Sequence, residues 1–331
     1  MPFKPFAVWA APGLQMLLAA PCVFAQTPAS SYPVKPVRVI VPFPAGGGLD
    51  MIVRTVTQKM SESTKQAFVI ENRGGANGII GMDAGVKSTP DGYTLITATT
   101  GSLTINPNVH AKMPFDAVRD LPPITIFGEA PFVLVCHPSL AARNARELVA
   151  LAKSRPGELN YGSPGVGGIN HLGMELFSQL SGGLRLLHIT FKGSAPLLID
   201  VMGGHVMLGF DSIQATSPHI KTKRLRALGL AAQQRAPVAP DIPTITEAGG
   251  PAGYELISWY GLFAPGGTPS DIIARAHAEA AKALGNSELR ERLLATGVTP
   301  VGNTPAQFAA VIKEDLARWA KVVRVAGVKV E

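Results

Sequence analysis

The fold is decided by residues 37–60, whose sequence is VRVIVPFPAGGGLDMIVRTVTQKM. Val37 to Val41 form an apolar run that predicts a buried strand, and the residues up to Gly48 form a loop rich in proline and glycine. From Asp50 onward the apolar residues recur at helical spacing, at Ile52, Val53, Val56 and Met60. The stretch therefore predicts a strand, a glycine-rich loop and a helix in succession.

The same unit recurs along the chain. Further strands are predicted at residues 67–71, 93–97, 132–136, 159–162, 186–190, 206–210, 226–230 and 254–263. Helices are predicted at residues 79–87, 145–154, 171–180, 195–202 and 217–223, with three more after Ser270. Alternating strands and helices predict an α/β fold whose sheets are mainly parallel and flanked by helices.

Composition limits the classes of protein that remain. The 331 residues suggest about two domains, and the hydrophobic share of 46% with only 16% charged residues excludes a disordered chain and a coiled coil. The net charge is +7, but lysine and arginine are spread thinly, the densest run being Lys221 to Arg226. We therefore expect no nucleic-acid partner.

The N-terminus has the pattern of a secretory signal peptide. An apolar stretch from Ala7 to Ala20 is followed by the small residues Val23 and Ala25, which predicts a signal peptide over residues 1–25 cleaved near Ala25. A lipoprotein attached through Cys22 is an alternative that Pro21 fits poorly. Cleavage would leave Cys136 as the remaining cysteine, which predicts a packed thiol and no intramolecular disulfide.

Three loops that follow predicted strands are candidate ligand contacts: Pro42 to Asp50, Thr97 to Ser102, and Gly162 to His171. Ligands of open α/β sheets bind beyond the carboxyl ends of the strands, where backbone N–H groups and helix dipoles favour an anion. The glycines are equally expected if they only permit tight turns, so the residues alone leave both interpretations open. Asp50 is expected to cap its helix or orient its loop, and to pair with Arg54.

Signatures of enzymes are incomplete. Gly46 to Met51 and Gly165 to Asn170 both lack the last glycine of a dinucleotide-binding fingerprint, and the seven histidines show no metal-ligand spacing. Ser163 lacks the glycine two residues before the serine that a nucleophile elbow requires, because Tyr161 occupies that position. We therefore predict neither an enzyme nor a cofactor or metal. An exported α/β serine hydrolase that uses Ser163 remains the alternative.

Several ordered blocks carry a resemblance to a known family. They are YPVKPVRVIVPFPAGGG at residues 32–48, ENRGGANG at 71–78, PDGYTL at 90–95, YGSPG at 161–165, PDIPT at 240–244 and WYGLFAP at 259–265. In this order they resemble the tripartite tricarboxylate transporter receptor family, also called the Bug family of periplasmic solute-binding proteins. The resemblance covers about residues 32–327.

The resemblance implies a two-lobed periplasmic-binding-protein fold, type II-like, that closes on a small organic carboxylate in the cleft between the lobes. Lobe 1 would comprise residues 26–125 and 253–331, and lobe 2 residues 126–252. The receptor would be a periplasmic monomer that serves a membrane transporter of the tripartite tricarboxylate type, or a sensor.

Carried over by matching motifs, the resemblance places the ligand between the first loop and the second lobe's Gly-Ser loop. The candidate ligand-binding residues are Phe43, Ala45, Gly46, Gly47, Asp50, Thr100, Ser102, Ser163, Gly165, Gly168, His171 and Asp211. Thr100 and Ser102 belong to the loop after the 93–97 strand, and Asp211 directly follows the 206–210 strand.

Two positions depart from the family's pattern. Leu49 stands where the family usually has Thr, and Gly168 where it has Ser or Thr. Loss of two hydroxyl groups near the site predicts a carboxylate with a substantial apolar or aromatic part. If Leu49 instead faces the core and Gly168 only loosens a turn, neither position informs on the ligand.

Overall fold

A computed structural model describes the chain at residue 1 and over residues 32–329. The expected signal peptide and its cleavage position lie outside these residues. The strands are β1 (Val37–Val41), β2 (Phe68–Asn72), β3 (Thr94–Thr99), β4 (Pro123–Cys136), β5 (Asn160–Ser163), β6 (Leu187–Thr190), β7 (Leu208–Ser212), β8 (Arg226–Leu230), β9 (Ile257–Phe263) and β10 (Thr299–Pro300).

The helices alternate with these strands and then close the chain. They are α1 (Gly48–Thr64), α2 (Ile79–Val86), α3 (Asn106–Val109), α4 (Ala145–Ser154), α5 (Ile169–Leu180), α6 (Ser194–Met202), α7 (Ile213–Lys221), α8 (Ser270–Leu284), α9 (Ser287–Ala295) and α10 (Pro305–Ala326). The last helix begins with a capping box formed by Thr304 and Gln307, and Pro305 occupies its first turn.

Strand β4 connects two groups of strands. The strand order is β2-β1-β3-β9-β4-β7-β5-β6, and β8 and β10 also pair with β4. Residues 123–131 of β4 pair with β9, whereas residues 132–136 pair with β7 and β8. The hydrogen-bonded ladder is therefore continuous through β4, and the exact lobe boundaries remain a prediction.

The α/β class is confirmed, but the sheet is mixed rather than mainly parallel. Pairs β1–β2, β1–β3, β5–β6 and β5–β7 are parallel, whereas every pair that involves β4 or β9 is antiparallel. These two strands carry the chain between the groups without a crossover helix. The sequence missed the first part of β4 because Pro122, Pro123 and Gly128 suggest a break, although proline is tolerated at the first residue of a strand.

Buried apolar side chains fill the space between the sheet and the helices. Cys136 is a fully buried free thiol, and burial raises its pKa to about 11, which confirms the packed thiol. In α10, Phe308, Ile312 and Trp319 recur at helical spacing and are buried. Among the described residues, no helix combines the length and the apolar character that a membrane span requires.

Candidate functional site

The two glycine-rich loops are built alike. Gly47 is the N-cap of α1 with φ −74° and ψ 168°, and Gly168 is the N-cap of α5 with φ −73° and ψ 165°. Neither helix has a side-chain cap within the described residues. The preceding residues, Gly46 and Gly167, have φ of +82° and +73°, a left-handed conformation that glycine adopts without strain.

A side chain three residues after each N-cap glycine holds the loop. The N–H of Gly46 donates to Asp50 Oδ2 at 2.9 Å, and the N–H of Gly167 donates to His171 Nδ1 at 3.0 Å. Each bond thus provides an acceptor for the N–H group of the residue before the N-cap glycine. The N–H groups of the first helical turn have no intrahelical acceptor, so both helix starts offer donors, and a favourable dipole, to an anion.

Asp50 orients the first loop, as the sequence predicts. Arg54 Nε donates to Asp50 Oδ2 at 2.9 Å, and Asn72 Nδ2 donates to Asp50 Oδ1 at 2.9 Å and to the carbonyl of Phe43 at 3.0 Å. Burial alone raises the pKa of Asp50, but the hydrogen bonds from Arg54, Gly46 and Asn72 outweigh burial and hold that pKa below its ordinary value. The carboxylate is therefore fully engaged by the loop and its neighbours.

The other predicted site residues that precede β4 differ in how far they are exposed to solvent. Ala45, Gly46 and Gly47 are exposed, and Phe43 is half-buried. Thr100 and Ser102 are buried: Thr100 Oγ1 accepts from the N–H of Trp259 at 3.1 Å, and Ser102 Oγ accepts from the N–H of Thr99 at 2.9 Å. The Ser102 hydroxyl thus holds the end of β3, and the Thr100 hydroxyl joins the residue after β3 to Trp259 of β9.

Ser163 closes the second loop on itself. Its buried Oγ donates to the carbonyl of Gly165 at 2.8 Å and lies 2.7 Å from His188 Nε2. An added Cβ would have no neighbour within 4 Å at Gly165, and only the Gly165 carbonyl, at 3.8 Å, at Gly168. Space therefore remains beside this loop at both glycines.

Two stacked imidazole rings, those of His171 and His188, hold the second glycine-rich loop in place. The rings of His171 and His188 lie 3.9 Å apart, and His188 also stacks on Tyr161 at 4.8 Å. Burial lowers the pKa of both histidines to about 4, so both rings are neutral at pH 7. A neutral ring is what the bond from Gly167 requires, because Nδ1 of His171 can accept only without its proton. The sequence considered His188 only as one of seven histidines without metal-ligand spacing, and it missed this role.

Tyr260, on β9, links the first glycine-rich loop to the end of β7. A Cβ on Gly48 would lie 3.7 Å from Tyr260 Oη. Burial raises the pKa of this hydroxyl to about 12, the neighbouring Gln214 amide lowers it, and the charge of Asp211 raises it. Tyr260 therefore lies next to two parts of the chain, which are the start of α1 and the junction of β7 with α7.

The start of α5 reaches the same junction. Asn170 Nδ2 donates to the carbonyl of Phe210 at 2.8 Å, next to Asp211. Asp211 is 4% exposed, and burial raises its pKa to about 6 although it accepts hydrogen bonds from Ser194 and from the N–H of Ser212. Both uncapped helix starts thus approach a polar group formed by Asp211, Gln214 and Tyr260. The sequence pointed to Asp211 alone.

For Leu49, the second of the two interpretations holds, and the expectation of an apolar ligand stays a prediction without its support. Leu49 is buried in the same apolar cluster as Ile52, Val53 and Val56, so it faces the core and says nothing about the polarity of the pocket. Gly168 does border open space, so the missing hydroxyl there leaves room.

A separate cavity of about 490 Å³ lies along β4 and β9. Its lining includes Glu129, Pro131, Glu255 and Ile257 and contains none of the predicted site residues. Among residues 32–329, no group of three or more His, Cys, Asp and Glu side chains is placed to hold a metal ion.

The buried imidazoles make stability depend on pH. The folded pKa values of His171 and His188 are about 4, below the ordinary 6.5, so the unfolded chain takes up protons first as the pH falls. We expect stability to fall between pH 7 and pH 5 by roughly 1–2 kcal/mol for each histidine. In His188→Gln, which keeps a polar group beside Ser163, the loss should be smaller by about that amount. Urea unfolding at both pH values measures it, and equal losses in the two proteins would contradict the assignment.

Comparison with known proteins agrees with this architecture. Residues 52–328 match the family described as tripartite tricarboxylate transporter family receptor. Protein BugT of Bordetella pertussis strain Tohama I is 35% identical over 317 residues, which cover 96% of this chain and 97% of BugT.

Two solved structures share the fold. R. palustris Rpa4515 with adipate has a TM-score of 0.83 and 34% identity, and the match covers 90% of this chain and 99% of that one. The periplasmic binding protein BugD has a TM-score of 0.79 and 28% identity, with 90% and 99% covered. The two-lobed periplasmic-binding-protein fold and the resemblance seen in the sequence are confirmed, and the chain belongs to the tripartite tricarboxylate transporter family of receptors.

Proposed function

We propose that this protein is a periplasmic solute-binding receptor that captures a small organic carboxylate between its two glycine-rich loops. The observation that carries the proposal is the pair of uncapped helix starts, at Gly48 and Ile169, which approach one polar region from opposite halves of the chain. The relative Rpa4515 was solved with adipate, which supports a carboxylate as the ligand.

The electrostatics of the two loops suit an anion. The charge of Asp50 is compensated by Arg54, and His171 and His188 are neutral at pH 7, so within the two loops themselves the backbone N–H groups determine the potential. Asp211, at the end of β7, is a negative group near both helix starts when it is ionised. A carboxylate has two oxygens and about four acceptor positions. One carboxylate can therefore accept from both helix starts and hold the two halves together.

We further propose the lobes as residues 26–125 with 253–331, and residues 126–252. The division of β4, with one part paired to β9 and the other to β7 and β8, supports a boundary within this strand. The lobes would close on the carboxylate and present it to a membrane transporter of the tripartite tricarboxylate type or to a sensor, with the receptor acting as a monomer.

The serine hydrolase alternative receives less support. The relatives are receptors, and Ser163 Oγ already donates to the carbonyl of Gly165 inside its own loop. A hydrolase would require this buried oxygen to reach a substrate. Ester hydrolysis by the purified protein that is lost in Ser163→Ala would favour that alternative.

Binding of a carboxylate should stabilise the protein. After unfolding and refolding to remove bound ligand, a screen by thermal unfolding should find a carboxylate that raises Tm by several degrees. A ligand at about 100 times its Kd adds roughly 2.7 kcal/mol. The methyl ester of the same acid, which lacks the negative charge, is the control and should give no shift. A screen in which uncharged compounds alone stabilise the protein would contradict the proposal.

Gly47→Val should abolish most of the binding without unfolding the protein. The φ of −74° accepts a β-branched residue, and the added Cβ would meet only the Pro44 carbonyl, at an ordinary 3.6 Å. The side chain would fill the space beside the N–H groups, so we expect affinity at least about tenfold lower, or 1.4 kcal/mol. Ser163→Ala should cost about 0.5–1.5 kcal/mol through a less ordered second loop.

Calorimetry with the carboxylate found in the thermal screen measures both effects. Gly285→Ala, at the C-cap of α8 and outside both loops, is the matched control and should bind normally. Unchanged affinity in both loop variants would count against this site.

We also propose that the protein is exported and that its mature form begins near Gln26. Small residues at Val23 and Ala25 meet the requirement of a signal peptidase. Ala25→Asp should therefore delay processing in a Gram-negative host, whereas Ala29→Asp should not. Mass spectrometry of the periplasmic fraction checks this, and an unprocessed N-terminus in the unaltered protein would contradict it.

A further inference from the structure

The buried carboxyl group of Asp211 has no cation beside it. The residue is 4% exposed, and its two oxygens accept from the Ser194 hydroxyl and from the N–H of Ser212, both of which are neutral donors. Among the residues that the structure describes, no lysine, arginine or histidine side chain forms an ion pair with Asp211. A buried carboxylate without a compensating charge carries a desolvation cost, and protonation removes that cost.

The strands and helices packed around Asp211 do not offset its charge. Val133 of β4 pairs with Asp211 and is apolar, and Asn170 of α5 donates to the neighbouring carbonyl of Phe210. The titratable group that faces Asp211 is the Tyr260 hydroxyl of β9, and burial keeps that hydroxyl protonated by raising its pKa to about 12. These neighbours are therefore uncharged at pH 7.

The start of α6 partly favours the ionised form of Asp211. Ser194 is the first residue of this helix, so the helix dipole attracts the carboxylate, whereas Lys192 just before it is exposed. Gln214 of α7 is an uncharged amide. Burial nevertheless outweighs the hydrogen bonds from Ser194 and Ser212 and raises the pKa of Asp211 to about 6. The carboxyl group is therefore mainly ionised at pH 7 but can take up a proton close to that pH.

A ligand carboxylate would bring a second negative charge to this region. Asn170 lies in the first turn of α5 and joins it to the end of β7, and Tyr260 Oη lies 3.7 Å from the position of a Cβ on Gly48 at the start of α1. Two negative charges repel strongly where water is excluded. Protonation of Asp211 removes that repulsion, so the proton and the carboxylate each favour binding of the other.

We propose that Asp211 is a proton-binding residue of the receptor, which couples capture of an anionic carboxylate to uptake of up to one proton from solvent. The proton passes from water to a carboxyl oxygen of Asp211, while the ligand stays ionised and no covalent bond of the ligand changes. This inference rests on the proposed function, since a carboxylate at the helix starts must supply the second charge. Affinity would then follow the pH outside the cell, tighter in mildly acidic medium and weaker in alkaline medium.

Calorimetry in two buffers tests the coupling. The probes are benzoate and linear mono- and dicarboxylates of two to ten carbon atoms, whose own carboxyl groups are ionised above about pH 6. Titrations at pH 7 in phosphate and in Tris, which differ in their heats of ionisation, give the number of protons taken up per bound carboxylate. In the unaltered protein we expect about half to one proton, and a Kd that rises at least about tenfold between pH 6 and pH 8.

Asp211→Asn keeps the shape and the acceptor for the N–H of Ser212 but does not titrate. Its proton uptake should vanish, its Kd should be constant between pH 6 and pH 8, and at pH 8 it should bind more tightly than the unaltered protein. Asp315→Asn is the matched control. Asp315 on α10 is another carboxyl group whose pKa burial raises, but it lies outside both loops and accepts from Trp259, so this variant should keep the proton uptake.

Each outcome separates the coupling from the receptor proposal. Carboxylate binding without proton uptake in the unaltered protein overturns the role of Asp211 and leaves the receptor intact, and this measurement decides even if Asp211→Asn does not fold. Uptake that persists in Asp211→Asn assigns the proton to another group and overturns the coupling as well. Failure of every probe to bind the unaltered protein at pH 6 and at pH 8 overturns both proposals.

Discussion

In the proposed receptor, recognition of a carboxylate depends on backbone N–H groups at two helix starts that no side chain caps. At the start of an ordinary helix, a serine, threonine or aspartate side chain would cap one of these donors. Here the N-cap positions are Gly47 and Gly168, which have no side chain to donate or accept, so the first turns of α1 and α5 stay available. In the proposed function, a carboxylate would complete the two helix starts that the sequence leaves uncapped.

The side chains that hold the two loops keep that arrangement rigid and leave no uncompensated charge within either loop. Asp50 and His171 occupy the same position relative to their N-cap glycines, and each fixes the N–H that precedes the cap. One does so as a carboxylate compensated by Arg54, the other as a neutral imidazole stacked on His188. Two different chemistries thus give the same loop geometry without placing an uncompensated negative charge next to the anion.

Local sequence patterns were sufficient to predict much of the fold. The strand, loop and helix of residues 37–60, the boundaries of α4 and β8, and the cap of α10 were predictable because propensity, spacing and capping agree there. The first part of β4 was not, because its proline and glycine residues weaken the local pattern while pairing with β9 stabilises the strand.

The candidate site was predictable only where its residues are contiguous in the sequence. The two loops could be found from glycine-rich runs after strands, whereas Tyr260, Gln214 and His188 come to the site through tertiary contacts that have no sequence pattern. Leu49 is different, because the information was present: it precedes Ile52, Val53 and Val56 at helical spacing, which places it on the buried face of α1.

A crystal structure of the protein with a tightly bound carboxylate would test the site most directly. We predict that the carboxylate oxygens lie within about 2.7–3.2 Å of backbone nitrogen atoms at the starts of both α1 and α5. A carboxylate bound instead in the cavity beside Glu129 and Glu255, or held by side chains with both helix starts unused, would contradict it.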